Sequence, residues 1–441
     1  MRKNSCIILF LLLFTGMSLQ AQAKKWTLRE CVEYALKNNI TIKQTDLDNQ
    51  IAAIDKSDAF GSMLPTVNGS ASHGWNIGLN FNPVTNNAET QTFQNTRVGL
   101  DVGVDIYKGL QNQNRLRKTK LGIIAAQYQL DKIKDDISLN VANAFLQILF
   151  NKENLKVQIE QQTNNEKQQQ RTQELVNAGS VPRGDLLDIK ATVASNKQAV
   201  VIAENTLFIS KLSLAQLLQL DDFQNFDIVD SDYEVPESET MKQTPEAIYA
   251  KAKEQRVELK IARTNLEMAE KDLKISSGAY QPTLRGFYSF GSNATTAYTN
   301  PFFMQLSDNK SHSFGVSLNV PIFNGFSVRN NVQRSKVALE RSKIAFSQQE
   351  LDLERNVYTA FKDANGALNS YESAVSALEA RTEAYNYAKE KFNVGLMNAF
   401  DLNQAQTLYV NAQSEVLRTK YDYIFRIKVV EFYFGIPIIQ N

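Results

Sequence analysis

Cysteine and histidine are nearly missing from this chain. Two cysteines, Cys6 and Cys31, in 441 residues leave no disulfide framework and no multi-cysteine metal site. Two histidines, His73 and His312, give zinc or non-haem iron little to bind. An excess of one charge is also lacking: 48 Lys and Arg face 47 Asp and Glu, a net of +1, without the basic stripe of a nucleic-acid-binding protein. Nine prolines and 19 glycines exclude collagenous and proline-rich chains. No nucleophile–base–acid set, phosphate loop or metal spacing occurs, so the sequence predicts no enzyme and no cofactor. A long apolar run occurs only at the start. Arg2 and Lys3 precede an apolar stretch at 7–14, and Ala21-Gln22-Ala23 supplies a small-x-small site, so residues 1–23 read as a secretory signal. Cys6 precedes that stretch, which argues against a lipid-anchored cleavage site. No later stretch reaches about 18 consecutive apolar residues, so no transmembrane helix is expected.

What is present is one unit written twice. Thr27-Leu28-Arg29-Glu30 opens a helix closing on Leu64-Pro65-Thr66, and Thr244-Pro245-Glu246 opens another closing on Gln281-Pro282-Thr283, an offset of 217. Further on the offset is 216: Gly99 matches Gly315, Gly109 matches Gly325, Gly179 matches Gly395, and Asp185-Leu186 matches Asp401-Leu402. The expected division is residues 24–243 for the first repeat and 244–441 for the second.

Each copy carries two strand patterns and long helices. The expected strands are 66–80, 97–107, 283–292 and 313–323. Val98, Leu100, Val102, Val104 and Ile106 alternate with Arg97, Gly99, Asp101, Gly103 and Asp105; Phe314, Val316, Leu318, Val320 and Ile322 alternate with Gly315, Ser317 and Asn319. Period-2 alternation over about ten residues suits a transmembrane β-barrel strand, and a half-buried soluble sheet gives the same pattern. Phe287 breaks the alternation of the strand near Leu284. Trp75, Tyr288 and Phe290 suggest an aromatic girdle. The helices carry heptads: Leu116, Ile123, Leu130, Ile137, Ala144, their counterparts Val332, Leu339, Phe346, Leu353, Ala360, and the runs Leu186–Leu214 and Leu402–Val430 beyond each glycine break. Such spacing argues for coiled-coil packing. Taken alone it also fits a structural or adhesive coiled-coil protein of the cell envelope.

Four strands cannot close, and open strand edges are not tolerated in lipid. If the strands are transmembrane, several chains share one barrel. Two chains give eight strands with a filled bore; three give twelve with room for a channel.

At this point the residues resemble the TolC-like outer-membrane efflux proteins along essentially the whole chain after the signal. The resemblance rests on the duplication, on the Leu-Pro-Thr and Gln-Pro-Thr turns, and on Val320-Pro321-Ile322-Phe323-Asn324-Gly325 before the second long helix. It rests also on the two breaks Val176-Asn177-Ala178-Gly179 and Phe392-Asn393-Val394-Gly395. It implies a mixed α and β membrane protein, with a long coiled-coil α-barrel tunnel in the periplasm and a transmembrane β-barrel shared between protomers. Each chain gives four strands, and the homotrimer has twelve. It implies the outer-membrane duct of a tripartite efflux or type I secretion system, working with a periplasmic adaptor and an inner-membrane pump, and surrounded by outer-membrane lipid. An equatorial belt falls at 221–243. By the same resemblance Asp185, Asp188, Asp401 and Gln404 belong to the pore entrance and gate. Asn177, Gly179, Asn393, Gly395 and Asn398 lie at the adaptor-docking tips. The chain departs from the family where a second entrance acid is Gln404 and a basic tether is Met397. Helix N-capping and favourable interaction with the helix dipole form the competing role for Asp185 and Asp401.

Overall fold

The computed structural model describes residues 25–82, 84–230, 234–235 and 238–438; the expected signal segment at 1–23 lies outside them. In chain order the elements are β1 (Lys25–Trp26), α1 (Leu28–Asn38), α2 (Ile40–Gly61), β2 (Thr66–Asn82), β3 (Asn87–Lys108), α3 (Gln111–Asn177), α4 (Arg183–Leu218) and β4 (Asp227–Ile228). After a 3-10 turn at Glu239–Lys242 come α5 (Pro245–Gln255), α6 (Val257–Gly278), β5 (Thr283–Thr295), α7 (Phe302–Asp308), β6 (Ser311–Asn319), α8 (Ser327–Asn393) and α9 (Ala399–Phe434). The helix starts recur at an offset of 217 before the strands and 216 after them. Two compact units result, one from residues up to Gln44, Lys132–Arg256 and Asp352 onward, the other from Thr45–Asp131 and Val257–Leu351. Each takes segments from both copies.

The stretch expected to be one helix from Thr27 to Leu64 is two, and so is its counterpart. Backbone breaks at Asn39 (ψ 131°) and Arg256 (ψ 131°) separate them. Neither site has glycine or proline, so tertiary contacts hold the bend. Buried Asn39 donates from Nδ2 to the Leu217 carbonyl at 3.0 Å and accepts the Thr41 N–H at 2.9 Å. Buried Arg256 lies over the Phe432 ring at 3.8 Å. The two joints thus meet the ends of α4 and α9 respectively. Both first helices start on threonine: Thr27 forms a capping box with Glu30, and Thr244 accepts the Ala247 N–H, as the capping chemistry requires.

α3 and α8 each have 67 residues, about 100 Å at the helical rise. None of the heptad positions named above is exposed. Among the described residues α4 alone is long and apolar enough to cross a membrane, by length and composition only. Its exposed Leu187, Val201 and Phe208 sit at multiples of seven, a second heptad stripe beside the buried one.

In the same unit, Lys152 is buried and pairs with Asp227 (2.8 Å) and Asp230 (2.7 Å) while donating to the Ile228 carbonyl (2.9 Å); Lys211 and Lys25 complete the cluster. It fastens the parallel β1–β4 pair to α3 and α4. The Lys152 hydrogen bond holds the Asp230 carboxyl down at about 2. Its folded pKa is depressed, so this contribution is present above the ordinary 3.8 and is lost as pH falls through about 2. Lys152→Met is expected to cost about 3–5 kcal/mol in a urea melt at neutral pH, with a smaller deficit at pH 3.

The sheet of the other unit has the order β2-β3-β5-β6, all antiparallel. Register places Val67, Val102 and Tyr288 on one face with Leu100, Phe290, Phe314 and Val316, and puts Asn68, Asp101, Ser289 and Ser313 on the other. On the apolar face Phe314, Val316 and Leu318 are 80%, 68% and 65% exposed. Along β3 that face runs from Val98 to Ile106, about 26 Å at the strand rise, close to the height of a barrel's lipid-facing band.

Four details differ from the sequence reading. β6 stops at Asn319 rather than 323, because Pro321 has no N–H to give a ladder. β3 begins at Asn87, ten residues early, since its Thr- and Gln-rich start continues the hairpin with β2. Trp75 pairs with Gln94, six positions along β3 from the Leu100–Phe290 row, so Trp75, Tyr288 and Phe290 form no single girdle. Phe287 belongs on the polar face, where its register partners are Gly103 and Gly315. Its ring lies 3.2 Å from where a Gly315 Cβ would be, so the glycine makes its room.

Candidate functional site at the helix tips

Both helix breaks are built alike. At the first, the Ser180 N–H reaches the Leu175 carbonyl (2.9 Å) and the Gly179 N–H reaches Val176 (3.0 Å). At the second, Leu396 reaches Lys391 (2.9 Å) and Gly395 reaches Phe392 (3.1 Å). This is the Schellman closure, which needs a left-handed residue after the helix; Gly179 (φ +73°) and Gly395 (φ +78°) supply it. A side chain would find open space at either, so backbone conformation alone demands glycine.

The restarts differ. α9 is capped by Asn398, whose Oδ1 accepts the Asp401 N–H at 2.8 Å. α4 starts after Pro182, which gives no side-chain cap. Asp185 and Asp401 are therefore the third helical residues, not the caps. Their carboxylates lie in the first turn, where the helix dipole favours them by about 0.3–1 kcal/mol. Asp185 is half-buried; Asp188, Asp401 and Gln404 are exposed. Among the described residues none of these three carboxylates has an ion-pair or hydrogen-bond partner. These acids thus stand free of direct ion pairs at the tip, with Arg171, Arg183, Lys190 and Lys391 in the same segments.

Side-chain ties hold the tip helices together, and sequence reasoning did not find them. Arg171 Nη1 donates to Asn393 Oδ1 (2.9 Å), linking the ends of α3 and α8. Asn403 Nδ2 donates to Thr192 Oγ1 (2.7 Å), joining α9 to α4. Tyr385 and Tyr409 stack with centroids 5.2 Å apart and planes 11° from parallel. Burial pushes the Tyr385 hydroxyl pKa up. Tyr409 was legible as a heptad position, whereas Arg171 lies in a polar stretch that nothing marks. Asn177 and Asn393 are exposed, and Asn177 accepts only an intrahelical bond from Gln173 at 3.0 Å. Met397 is half-buried.

A family described as "Outer membrane efflux protein" matches residues 32–219 and 248–425, one segment in each copy. The outer membrane protein TolC of Vibrio cholerae is 24% identical over 311 residues, 68% of each chain. The outer membrane protein TolC of Escherichia coli K12 is 22% identical over 431 residues, covering 95% of this chain and 83% of that protein. Among solved structures, the Campylobacter jejuni CmeC outer membrane channel superposes with a TM-score of 0.80 at 20% identity, over 92% of this chain and 85% of that one.

Proposed function

Because the chain belongs to the outer membrane efflux protein family, we propose that three copies close into one duct through which substrates leave the cell. The chain is an outer-membrane efflux channel, and the structural or adhesive alternative drawn from the heptads has no comparable support. The trimer, its shared barrel and its partners form the finer reading.

One observation carries it. Within the chain, α3 and the turn before it meet α6 at two places. Gly109 and Gly278 approach so closely that a Cβ on either would collide with the other's carbonyl oxygen, and Lys118 pairs with Asp272 at 2.7 Å. Shifted by the repeat offsets, Gly109 and Lys118 become Gly325 and Arg334, while Gly278 and Asp272 become Gly61 and Asp55. Those four are exposed, and no atom lies within 4 Å of a Cβ position on either glycine. The same shift converts the β3–β5 pairing into β6 with β2, the two free edges of the sheet. A neighbouring copy whose α2 and β2 meet α8 and β6 completes every one of these contacts. It also covers the exposed heptad stripes Leu47 with Ile54 on α2 and Val337, Ile344 and Leu351 on α8. Repetition of this step closes a ring, and three copies give twelve strands around an open bore. The recurrence of elements supports treating 24–243 and 244–441 as the two repeats.

In this reading Asp185, Asp188 and Asp401 ring the tunnel entrance, with Gln404 beside them. The turns around Asn177, Gly179, Asn393, Gly395 and Asn398 receive a periplasmic adaptor that brings an inner-membrane pump. Transport needs no covalent step: the tunnel supplies a path, and charge at its mouth selects. A cysteine at Asn177, exposed and outside the helix caps, is expected to crosslink to the adaptor in cells. Crosslinks arising only from cysteines within 221–243 would move docking to the equatorial segment and contradict this assignment. Asn398 is the weaker probe, because losing its cap costs about 1 kcal/mol.

A further inference from the structure

On β3 the apolar run ends at Val98, whereas on β2 the same face continues apolar through Trp75, Ile77, Leu79 and Phe81. Beside that apolar stripe a local polar patch forms, with Gln94 and Thr96 on β3 in register with Trp75 and His73 on β2, and Ala294 on β5 next to Thr96. α7, which has no counterpart in the first copy, folds onto this part. Ser292 Oγ donates to the Leu306 carbonyl at 2.6 Å. Buried Gln305 accepts the Thr295 N–H at 2.9 Å and donates to the Asn300 carbonyl at 2.7 Å, fixing the loop before α7. A cavity of about 350 Å³ opens between that loop and the sheet.

The lining is specific in what it offers. Gln94, Asn300 and Tyr298 line this cavity, and their side-chain amides and hydroxyl have no hydrogen-bond partner among the described residues. His73 uses Nδ1 on Thr96 Oγ1 (2.8 Å), leaving Nε2 for a ligand. Phe302 and Tyr298 add aromatic surface, and Trp75 stands edge-on to His73 at 4.5 Å just outside. No lysine, arginine or carboxylate lines the cavity, so a phosphate or other ion would enter without a counter-charge. Neutral donors and acceptors around aromatic surface suit an uncharged ring bearing several hydroxyls.

We propose that this cavity binds a neutral sugar ring, either in the headgroup of an outer-leaflet glycolipid or in a free saccharide. The inference rests on reading the apolar face as lipid-facing. The helices leave the sheet at the Thr66 and Lys108 end; the cavity lies on the far side of the Val98–Ile106 run from them, flanked on β2 by Trp75 and Ile77, so its ligand would be held against the outward face of the strands.

The test uses the full-length protein in nanodiscs and three probes: rough lipopolysaccharide with its core sugars, the core oligosaccharide released from lipid, and phosphatidylglycerol. Native mass spectrometry and saturation-transfer NMR read binding. Wild-type protein is expected to bind the first, and Gln94→Ala and Asn300→Ala, exposed positions whose side chains hold nothing in the fold, to weaken it about tenfold. Binding of the released oligosaccharide as well assigns recognition to the sugar alone; binding only of the lipopolysaccharide assigns it to the lipid-held form. Equal binding by both variants, or equal affinity for phosphatidylglycerol, overturns the proposal. Recovery of trimers from outer membranes is scored on the same preparation, so failure of the lipid-facing reading is seen separately, and the oligosaccharide arm still reports on the cavity.

Discussion

Arginine at Leu100 or Leu318 is expected to remove about 2–4 kcal/mol from membrane assembly and to deplete the protein from the outer-membrane fraction. Both residues sit on the apolar face, Leu100 opposite Phe290 in the middle of the Val98–Ile106 run and Leu318 opposite Leu284 on the edge strand. Leu318 is 65% exposed in the single chain, so only lipid or a neighbouring copy can complete its burial. Arginine at Ser289 or Ser317, one position away on the polar face, is the matched control and is expected to assemble. Fractionation and heat-modifiable migration on gels read the outcome. Normal assembly of both leucine variants would mean that this face does not meet lipid.

Neutralising the tip acids is expected to abolish cation preference in single-channel recordings. In a trimer Asp185 and Asp401 would each recur three times around a constriction, and rings of like charge draw counter-ions and exclude co-ions. Among the described residues their carboxylates have no partner, and the Asp401 N–H is already satisfied by Asn398. Asp185→Asn with Asp401→Asn therefore removes charge while leaving the caps in place, at a helix-dipole cost of about 0.3–1 kcal/mol each. Reversal potentials under a salt gradient should move towards zero with assembly unchanged. Cation preference that survives the double change places the selective constriction elsewhere.

Much of this architecture was legible in the sequence because its signals are periodic and duplicated. Heptads located the buried and half-buried seams from Leu116 to Ala144 and from Val332 to Ala360, and alternation located four strands to within a few residues at most ends. What stayed hidden depends on residues brought together from far apart. The bends at Asn39 and Arg256 occur because α4 and α9 end against them, not because the local sequence breaks a helix. Phe287 looked like an error in a pattern until register set Gly103 and Gly315 beside it. α7 is seven residues in a loop that has no partner in the first copy, so the duplication that located everything else was silent there.

The tip was legible in part for the same reason. The glycine breaks and the acids after them stand at matched positions, and the structure gives each break the same hydrogen-bonded closure. Capping, the competing role for the acids, depended on a shift of three residues that only backbone geometry defines: Pro182 and Asn398 occupy the caps, Asp185 and Asp401 the first turn. The ties Arg171–Asn393 and Thr192–Asn403 join helices from different copies, and no spacing within one copy encodes them.

The central claim is that contacts made inside one chain are repeated between chains. Cysteines at Asp55 and Arg334, the shifted counterparts of the Asp272–Lys118 ion pair, test it directly, since the native Cys31 is buried and does not compete. A short thiol-reactive crosslinker applied to outer-membrane vesicles carrying the double variant should give covalent dimers and trimers on denaturing gels, with no larger species, and each single-cysteine variant should give neither. Monomers alone from a double variant that reaches the outer membrane in normal amount would contradict the account.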